Sequence, residues 1–461
     1  MTRLIFSLLA AVTLAACGTP QDTVERRTPD AVLPPMKTFS TPDIPRTTKT
    51  NRELARDFME LSFALESGRP LPLFTRFEGP VTVRVTGRTA PSLDSDLSRL
   101  IARLRSEAGI DITRVDATSP ASITIEVVSR RELQRAVPQA ACFVVPRVSS
   151  WDAFRRFRGT SRLDWTTLTV REEMAIFLPG DVAPQEIRDC LHEELAQALG
   201  PLNDLYRLPD SVFNDDNFHS VLTGFDMMVL RATYAPELQS GMSPDGVAAA
   251  LPGVLNRINP RGRGGSPTSA DPTPRAWIDA IETALGPRAT PVRRRAAARQ
   301  AVSIAGAERW TGTRLAFSLY ALGRLTLGVE PELALASFLQ AGTIYRSDED
   351  TALQAAHIAM QLSAFALSAG QADVAVEIVD NSTRAVAQAE NAALLATLLM
   401  VKAEALDALG RPQEAEEVRQ DSLGWARYGF GSDAEVLARQ RVQGFGFHHQ
   451  KSCQKGGIFG L

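Results

Sequence analysis

The sequence lacks the features that mark several common functional classes. It has no glycine-rich phosphate loop and no G-x-S-x-G turn of the kind that presents a nucleophilic serine. Its 50 basic and 53 acidic residues leave a net charge of −3, which gives no support to nucleic-acid binding. Hydrophobic residues make up 44% of the 461 residues, which is enough to form ordinary globular cores. A chain of this length and composition predicts at least two globular domains.

The first 16 residues predict a bacterial export signal. Arg3 supplies the positive start, and the apolar run over residues 4–14 is too short to span a membrane. The sequence Leu-Ala-Ala-Cys-Gly at 14–18 resembles the lipobox of bacterial lipoproteins, which implies cleavage before Cys17 and lipid attachment to it. We therefore expect a cell-envelope protein, anchored by lipid to a membrane and facing the periplasm.

Composition and spacing divide the remaining chain into five parts. Residues 17–49 are rich in Thr and Pro and predict a disordered tether, and residues 256–274 have the Pro, Gly, Arg and Ser content of a linker. The predicted parts are a tether (17–49), an α+β domain (50–245), a linker (246–276), a helical-repeat domain (277–443) and a disordered tail (444–461).

The α+β domain is predicted from changes in apolar spacing. Apolar residues three or four apart predict helices after Asn51 and over residues 93–104, and short alternating or apolar runs predict strands. The predicted strands cover residues 80–85, 123–127, 142–145 and 175–178.

The most informative stretch runs from Cys190 to Asp204 and reads C-L-H-E-E-L-A-Q-A-L-G-P-L-N-D. It lies on a predicted helix that begins at Pro184 and has one apolar stripe. We expect Gly200 to end this helix in a left-handed conformation, with Pro201 preventing its continuation.

This stretch resembles the active-site helix of metzincin zinc peptidases, H-E-x-x-H-x-x-G-x-x-H/D. Glu194 occupies the position of the general base and Gly200 that of the turn. Glu193, Gln197 and Asn203 occupy the three ligand positions. The resemblance implies a zincin-like fold, but amides are poor zinc ligands, so no metal or catalysis is expected.

Two functions follow from this pattern. The first is a non-catalytic lipoprotein with a pseudo-peptidase scaffold and a helical-repeat region that binds an envelope protein or peptide. The alternative is an atypical zinc-dependent peptidase with Glu194 as general base and Glu193, Gln197, Asn203 or Asp204 as ligands.

Residues 50–245 also resemble a family of uncharacterised bacterial lipoproteins. Its members carry E-S-G-R-x-L-P, here residues 66–72, then E-E-x-x-Q-x-L-G with N-D, here 193–204. A Tyr-x-Pro-x-Leu segment followed by Gly-Met, here 234–242, completes the similarity. This resemblance supports the domain limits and implies no activity.

The four cysteines are unequal. Cys142 and Cys190 lie on a predicted strand and on the motif helix, so an oxidising compartment makes a disulfide between them plausible. The alternative is two buried thiols. Cys453 is left over in the tail.

The helical region repeats with a period of 40 or 41 residues. Gly328, Gly370 and Gly410 each end or follow a predicted helix, and Ala334, Ala375 and Ala415 stand early in the next helix. This pattern resembles tetratricopeptide repeats, whose usual period is 34. It predicts stacked helical hairpins that either offer a groove to a partner or pack on the first domain.

Overall fold

The computed structural model describes residues 33–39, 47–88, 90–138, 140–264 and 272–439. The predicted signal, Cys17 and the tail with Cys453 lie outside the described residues. Within them, the N-terminal region contains a small mixed sheet with helices, and an all-helical region follows it. No helix in this part of the chain is both long and apolar enough to cross a membrane.

The sheet has five strands in the order β2-β1-β3-β5-β4, and only the β4–β5 pair is antiparallel. The four predicted strands are confirmed. The short strand β2 was missed because only Ile112 among its three residues is buried, which is too little for a periodic signal. The strands are β1 (Val81–Gly87), β2 (Ile112–Arg114), β3 (Ile123–Val128), β4 (Phe143–Pro146) and β5 (Met174–Pro179).

Seven helices accompany the sheet in the described N-terminal region. They are α1 (Asn51–Ser62), α2 (Leu93–Glu107), α3 (Arg130–Ala136), α4 (Trp151–Phe157), α5 (Pro184–Leu199), α6 (Gly224–Thr233) and α7 (Pro244–Ile258). Ile176 of β5 faces the main core with α2 and α5, whereas its neighbour Phe177 faces α3 and α4. Because adjacent strand residues point to opposite faces, the two pairs of helices cover opposite sides of the sheet.

Helix α7 corrects the predicted linker. Residues 246–258 are helical, and Val247, Leu251, Val254 and Leu255 are buried in the main core. The internal Pro252 interrupts the sequence signal, but the buried apolar face keeps the segment helical. The connection between the two regions is therefore shorter than the predicted 246–276.

The helical region consists of antiparallel neighbours joined by short turns. Gly370 and Gly410 adopt φ values of +78° and +74° in two of these turns, where a residue with a Cβ is disfavoured. Ala334, Ala375 and Ala415 are fully buried, as close helix packing requires. Its helices are α8 (Arg275–Leu285), α9 (Pro291–Ala307), α10 (Thr313–Thr326), α11 (Pro331–Tyr345), α12 (Ala352–Ser368), α13 (Ala372–Gln388), α14 (Ala392–Ala408) and α15 (Pro412–Phe430).

This helical region packs on the N-terminal region through aromatic side chains. Tyr206 lies 5.1 Å from Trp277, and Phe218 lies 5.8 Å from Phe317 and 6.2 Å from Tyr345, measured between ring centroids. Tyr206 and Phe218 belong to the loop between α5 and α6. The aromatic surface of the helices is therefore covered by the chain's own loop, in agreement with the second arrangement expected for the repeats.

Residues 33–39 differ from the disordered tether expected over 17–49. Phe39 stacks on Trp425 of α15 at 4.5 Å, and the Lys37 amide donates to the Gly424 carbonyl at 3.0 Å. The Phe39 carbonyl accepts from Arg99 at 2.6 Å. The sequence did not predict this contact, because it depends on one aromatic residue, Phe39, in a segment that otherwise has few apolar residues.

Candidate acidic functional site

The end of the motif helix α5 is not the predicted left-handed turn. Gly200 has φ of −167°, an extended value, so the expectation of a left-handed stop was wrong. A Cβ at this position would lie 3.0 Å from Cγ2 of Thr233 in α6. The close approach of the Thr233 side chain therefore favours glycine at position 200.

Buried side chains hold the last turn of α5 in place. Arg171 donates to the carbonyls of Gln197 and Gly200, each at 2.5 Å, and the Tyr234 hydroxyl donates to the Leu199 carbonyl at 3.1 Å. Burial lowers the pKa of Arg171 to about 10. These bonds satisfy carbonyls that the end of a helix leaves without partners, and they fix the position of Gln197.

Three of the predicted residues, Glu193, Gln197 and Asp204, interact with the carboxylate of Glu66, which was not among the predicted ligands. Gln197 Nε2 donates to Glu66 Oε1 at 3.3 Å, and Glu66 shares a side-chain hydrogen bond with Asp204. The carboxylate of Glu193 interacts electrostatically with Glu66 and with Asp215. We call Glu66, Glu193, Glu194, Gln197, Asp204 and Asp215 the acidic site.

The acidic site extends from solvent into the core. Glu66 and Asp215 are exposed, whereas Glu194 is 4% exposed. The Glu194 carboxylate accepts the Val144 amide of β4, but its Oε2 has no hydrogen-bond partner. An unpartnered buried carboxylate oxygen is costly, so this depth of the site suits a positively charged ligand or a proton.

The predicted disulfide is confirmed and forms part of the wall of the acidic site. Cys142, the residue before β4, is bonded to Cys190 of α5. Its sulfur and one oxygen each of Glu193 and Glu194 all lie within 4.8 Å of one another. Because this sulfur is already bonded to Cys190, it does not provide a thiolate ligand.

The carboxylates of the acidic site have raised pKa values. Burial, followed by the nearby Glu66 and Asp215, raises the pKa of Glu193 to about 8. Asp215 reaches the surface, but partial desolvation by the surrounding chain, followed by the nearby Glu66, raises its pKa to about 6. Burial and neighbouring carboxylates raise the pKa values of Glu194 and Asp204 well above their ordinary range. At neutral pH the site therefore retains protons that a bound cation would displace.

The remaining predicted ligand does not join the acidic site. Asn203 Nδ2 donates instead to the Glu60 carbonyl of α1, at 3.0 Å. His192 is also committed elsewhere, because its Nδ1 accepts the Leu222 amide at 3.1 Å. Glu66 was present in the E-S-G-R-x-L-P signature, but its separation of 131 residues from Gln197 hid the contact.

The acidic site should make stability depend on pH above 6.5. The pKa of Glu193 is about 8 in the folded protein and about 4.5 in the unfolded chain, so the folded protein keeps a proton that the unfolded chain has released. The contribution of this proton to stability is complete below pH 4.5 and is lost as pH rises through about 8. We expect the free energy of unfolding to fall between pH 6.5 and 8, by at most about 1.4 kcal/mol per pH unit for each proton.

Urea unfolding of wild type and Glu193→Gln across this pH range measures the effect. The half-buried His219 and His357 have pKa values lowered to about 4 and about 3 by desolvation of their rings, so they destabilise the fold only as pH falls below 6.5. A variant with the same slope as wild type would contradict the assignment to Glu193.

Comparison with known proteins gives a domain but no activity. Among curated proteins, none matches this chain. Residues 51–253 match the family model described as Protein of unknown function (DUF2927). The matched range includes every residue of the acidic site and most of α7. A domain of this family of unknown function therefore spans residues 51–253.

Proposed function

We propose that the N-terminal domain binds a hard divalent cation, of the Ca²⁺ or Mn²⁺ class, at the acidic site. The observation that carries this proposal is the unpartnered Oε2 of the buried Glu194, which lies close to Glu193, with Gln197, Glu66 and Asp204 joined to one another by side-chain hydrogen bonds. Carboxylate and amide oxygens are the ligands that such cations prefer.

The donor set does not suit zinc. Zinc sites in proteins are built from imidazole and thiolate with some carboxylate, and the acidic site offers oxygen atoms only. His192 is engaged with Leu222, and the Cys142 sulfur is engaged in the disulfide. We therefore expect this site to prefer Ca²⁺ or Mn²⁺ over Zn²⁺.

The wider proposal retains the envelope location and the non-catalytic role. The sequence supports a lipid anchor at Cys17, and the order strand, helix, strands and motif helix supports a zincin-like scaffold. The paired helices with buried alanines support tetratricopeptide-like repeats. Because the loop bearing Tyr206 and Phe218 covers their aromatic surface, a partner protein would bind the helices elsewhere.

Calorimetric titration of the full chain with Ca²⁺, Mn²⁺, Mg²⁺ and Zn²⁺ tests cation binding. We expect one equivalent of Ca²⁺ or Mn²⁺ to bind, and binding to be lost in Glu193→Gln. Ligand at one hundred times its dissociation constant should stabilise the fold by about 2.7 kcal/mol, which raises Tm by several degrees.

Glu186→Gln is the matched control, because Glu186 lies on the same helix and contacts Arg130 outside the acidic site, at 3.6 Å. It should bind the cation as wild type does. The proposal would be refuted if none of the four cations bound, or if the two variants lost cation binding equally.

A second candidate is the atypical metal-dependent peptidase. The observation that favours it is the position of Glu194, held by the Val144 amide of the edge strand β4 and adjacent to Glu193. Chelator-sensitive peptide cleavage that disappears in Glu194→Gln, together with preferential Zn²⁺ binding, would support this function over the first.

A further inference from the structure

A positively charged surface lies on the side of the sheet opposite the acidic site. Residues 130–162 contain eight arginines, whereas Glu132 and Asp152 are their only acidic residues. The chain as a whole has a net charge of −3, so this concentration of positive charge is local.

Five of these arginines are exposed and form no ion pair within 4.0 Å among the described residues. We call them the arginine face: Arg131, Arg135, Arg155, Arg156 and Arg158. Arg131 of α3 and Arg155 of α4 both lower the pKa of Glu132, after its hydrogen bonds with Ser129. The two helices therefore contribute to one surface.

The arginine face stands on a rigid base. Trp151 and Phe154 of α4 pack on Phe177 of β5 with ring centroids 5.0 and 5.4 Å apart, and Leu133 of α3 is buried in the same cluster. The helix starts are fixed as well, because Ser129 caps α3 and Ser150 caps α4. Rigid backbones reduce the entropy lost when the side chains bind a ligand.

We propose that the arginine face binds anionic lipid headgroups at a membrane surface. Guanidinium groups bind phosphate oxygens in a bidentate manner and remain charged at all physiological pH values. Exposed arginines on two neighbouring helices present several guanidinium groups to solvent, and their positive charge is complementary to the negative charge of phosphate headgroups. This interaction is separate from cation binding and from lipid attachment at Cys17.

The test uses the full chain with Cys17→Ser, so that no lipid can be attached there. Its binding to vesicles of phosphatidylglycerol and phosphatidylcholine is compared with binding to phosphatidylcholine vesicles alone, at low and high salt. At low salt we expect stronger binding to the anionic vesicles than to the neutral ones. At high salt this difference should disappear. Arg155→Gln/Arg156→Gln should weaken binding to the anionic vesicles roughly 30-fold, from about 1 kcal/mol per arginine.

Arg293→Gln/Arg295→Gln removes the same charge from α9 and should leave vesicle binding unchanged. Circular dichroism checks that both variants fold. Equal binding to the two vesicle types would overturn the proposal, and so would equal losses in the two variants. If the protein bound nucleic acid or an acidic protein but not the anionic vesicles, the lipid proposal would be refuted and the arginine face would be assigned to that other partner.

Discussion

Replacing Arg171 with methionine is expected to lower the free energy of unfolding by about 3–5 kcal/mol, because three buried carbonyls lose their common donor. Methionine fills much of the same space but donates no hydrogen bond. The carbonyls of Gln197, Ala198 and Gly200 would then be buried without these donors, each at a cost of about 1–3 kcal/mol. Relief from the buried charge offsets part of this cost.

Urea unfolding of the full chain measures the loss, and cation titration measures its effect on the acidic site. Because Arg171 holds the turn that carries Gln197, the variant should also bind the cation more weakly. Arg69→Met is the control, since Arg69 forms an exposed ion pair with Asp164 at 2.9 Å, which is worth about 0–1 kcal/mol. Equal midpoints for the two variants would show that the helix end does not need Arg171.

Removing the disulfide with Cys142→Ser/Cys190→Ser should cost about 4 kcal/mol, from the entropy of an open loop in the unfolded chain. The bond closes a loop with a sequence separation of 48 that includes α4 and β5. In the folded protein it joins the edge strand β4 to the helix that bears Glu193 and Glu194. The loss should therefore also weaken cation binding.

Reductant provides the matched measurement. It should lower the unfolding midpoint of wild type to that of the double variant, while the variant itself should not respond. If wild type withstands a reductant that mass spectrometry shows to have freed both thiols, the bond contributes no stability.

Local patterns predicted most elements but not their ends. The strand at 175–178 was found because a short continuous apolar run is typical of a buried strand, and the helix after Pro184 because its apolar residues lie three or four apart. Gly200 was correctly predicted to end the helix, but not through a left-handed conformation. Its contact with Thr233 depends on α6, which local sequence does not reveal. Helix α7 was missed because Pro252 and Gly253 resemble a linker until buried neighbours are known.

The acidic site was predicted in part. The four-residue step from Glu193 to Gln197 places both side chains on one helix face, and sequence alone determines this. Asn203 has the same spacing as a metzincin ligand but donates to Glu60, because the chain after Gly200 turns toward α1. Glu66 reaches the site from the other end of the domain, and no local pattern could reveal that contact.

The sequence by itself determined the periodic elements, the pair of cysteines able to bridge and the motif residues Glu193 and Gln197. Tertiary structure decided which carboxylates meet, how deeply Glu194 is buried and which surface of the helices the loop with Tyr206 covers. The physical reason is that periodicity depends on neighbours within a few residues, whereas burial and raised pKa values depend on groups brought together from distant positions.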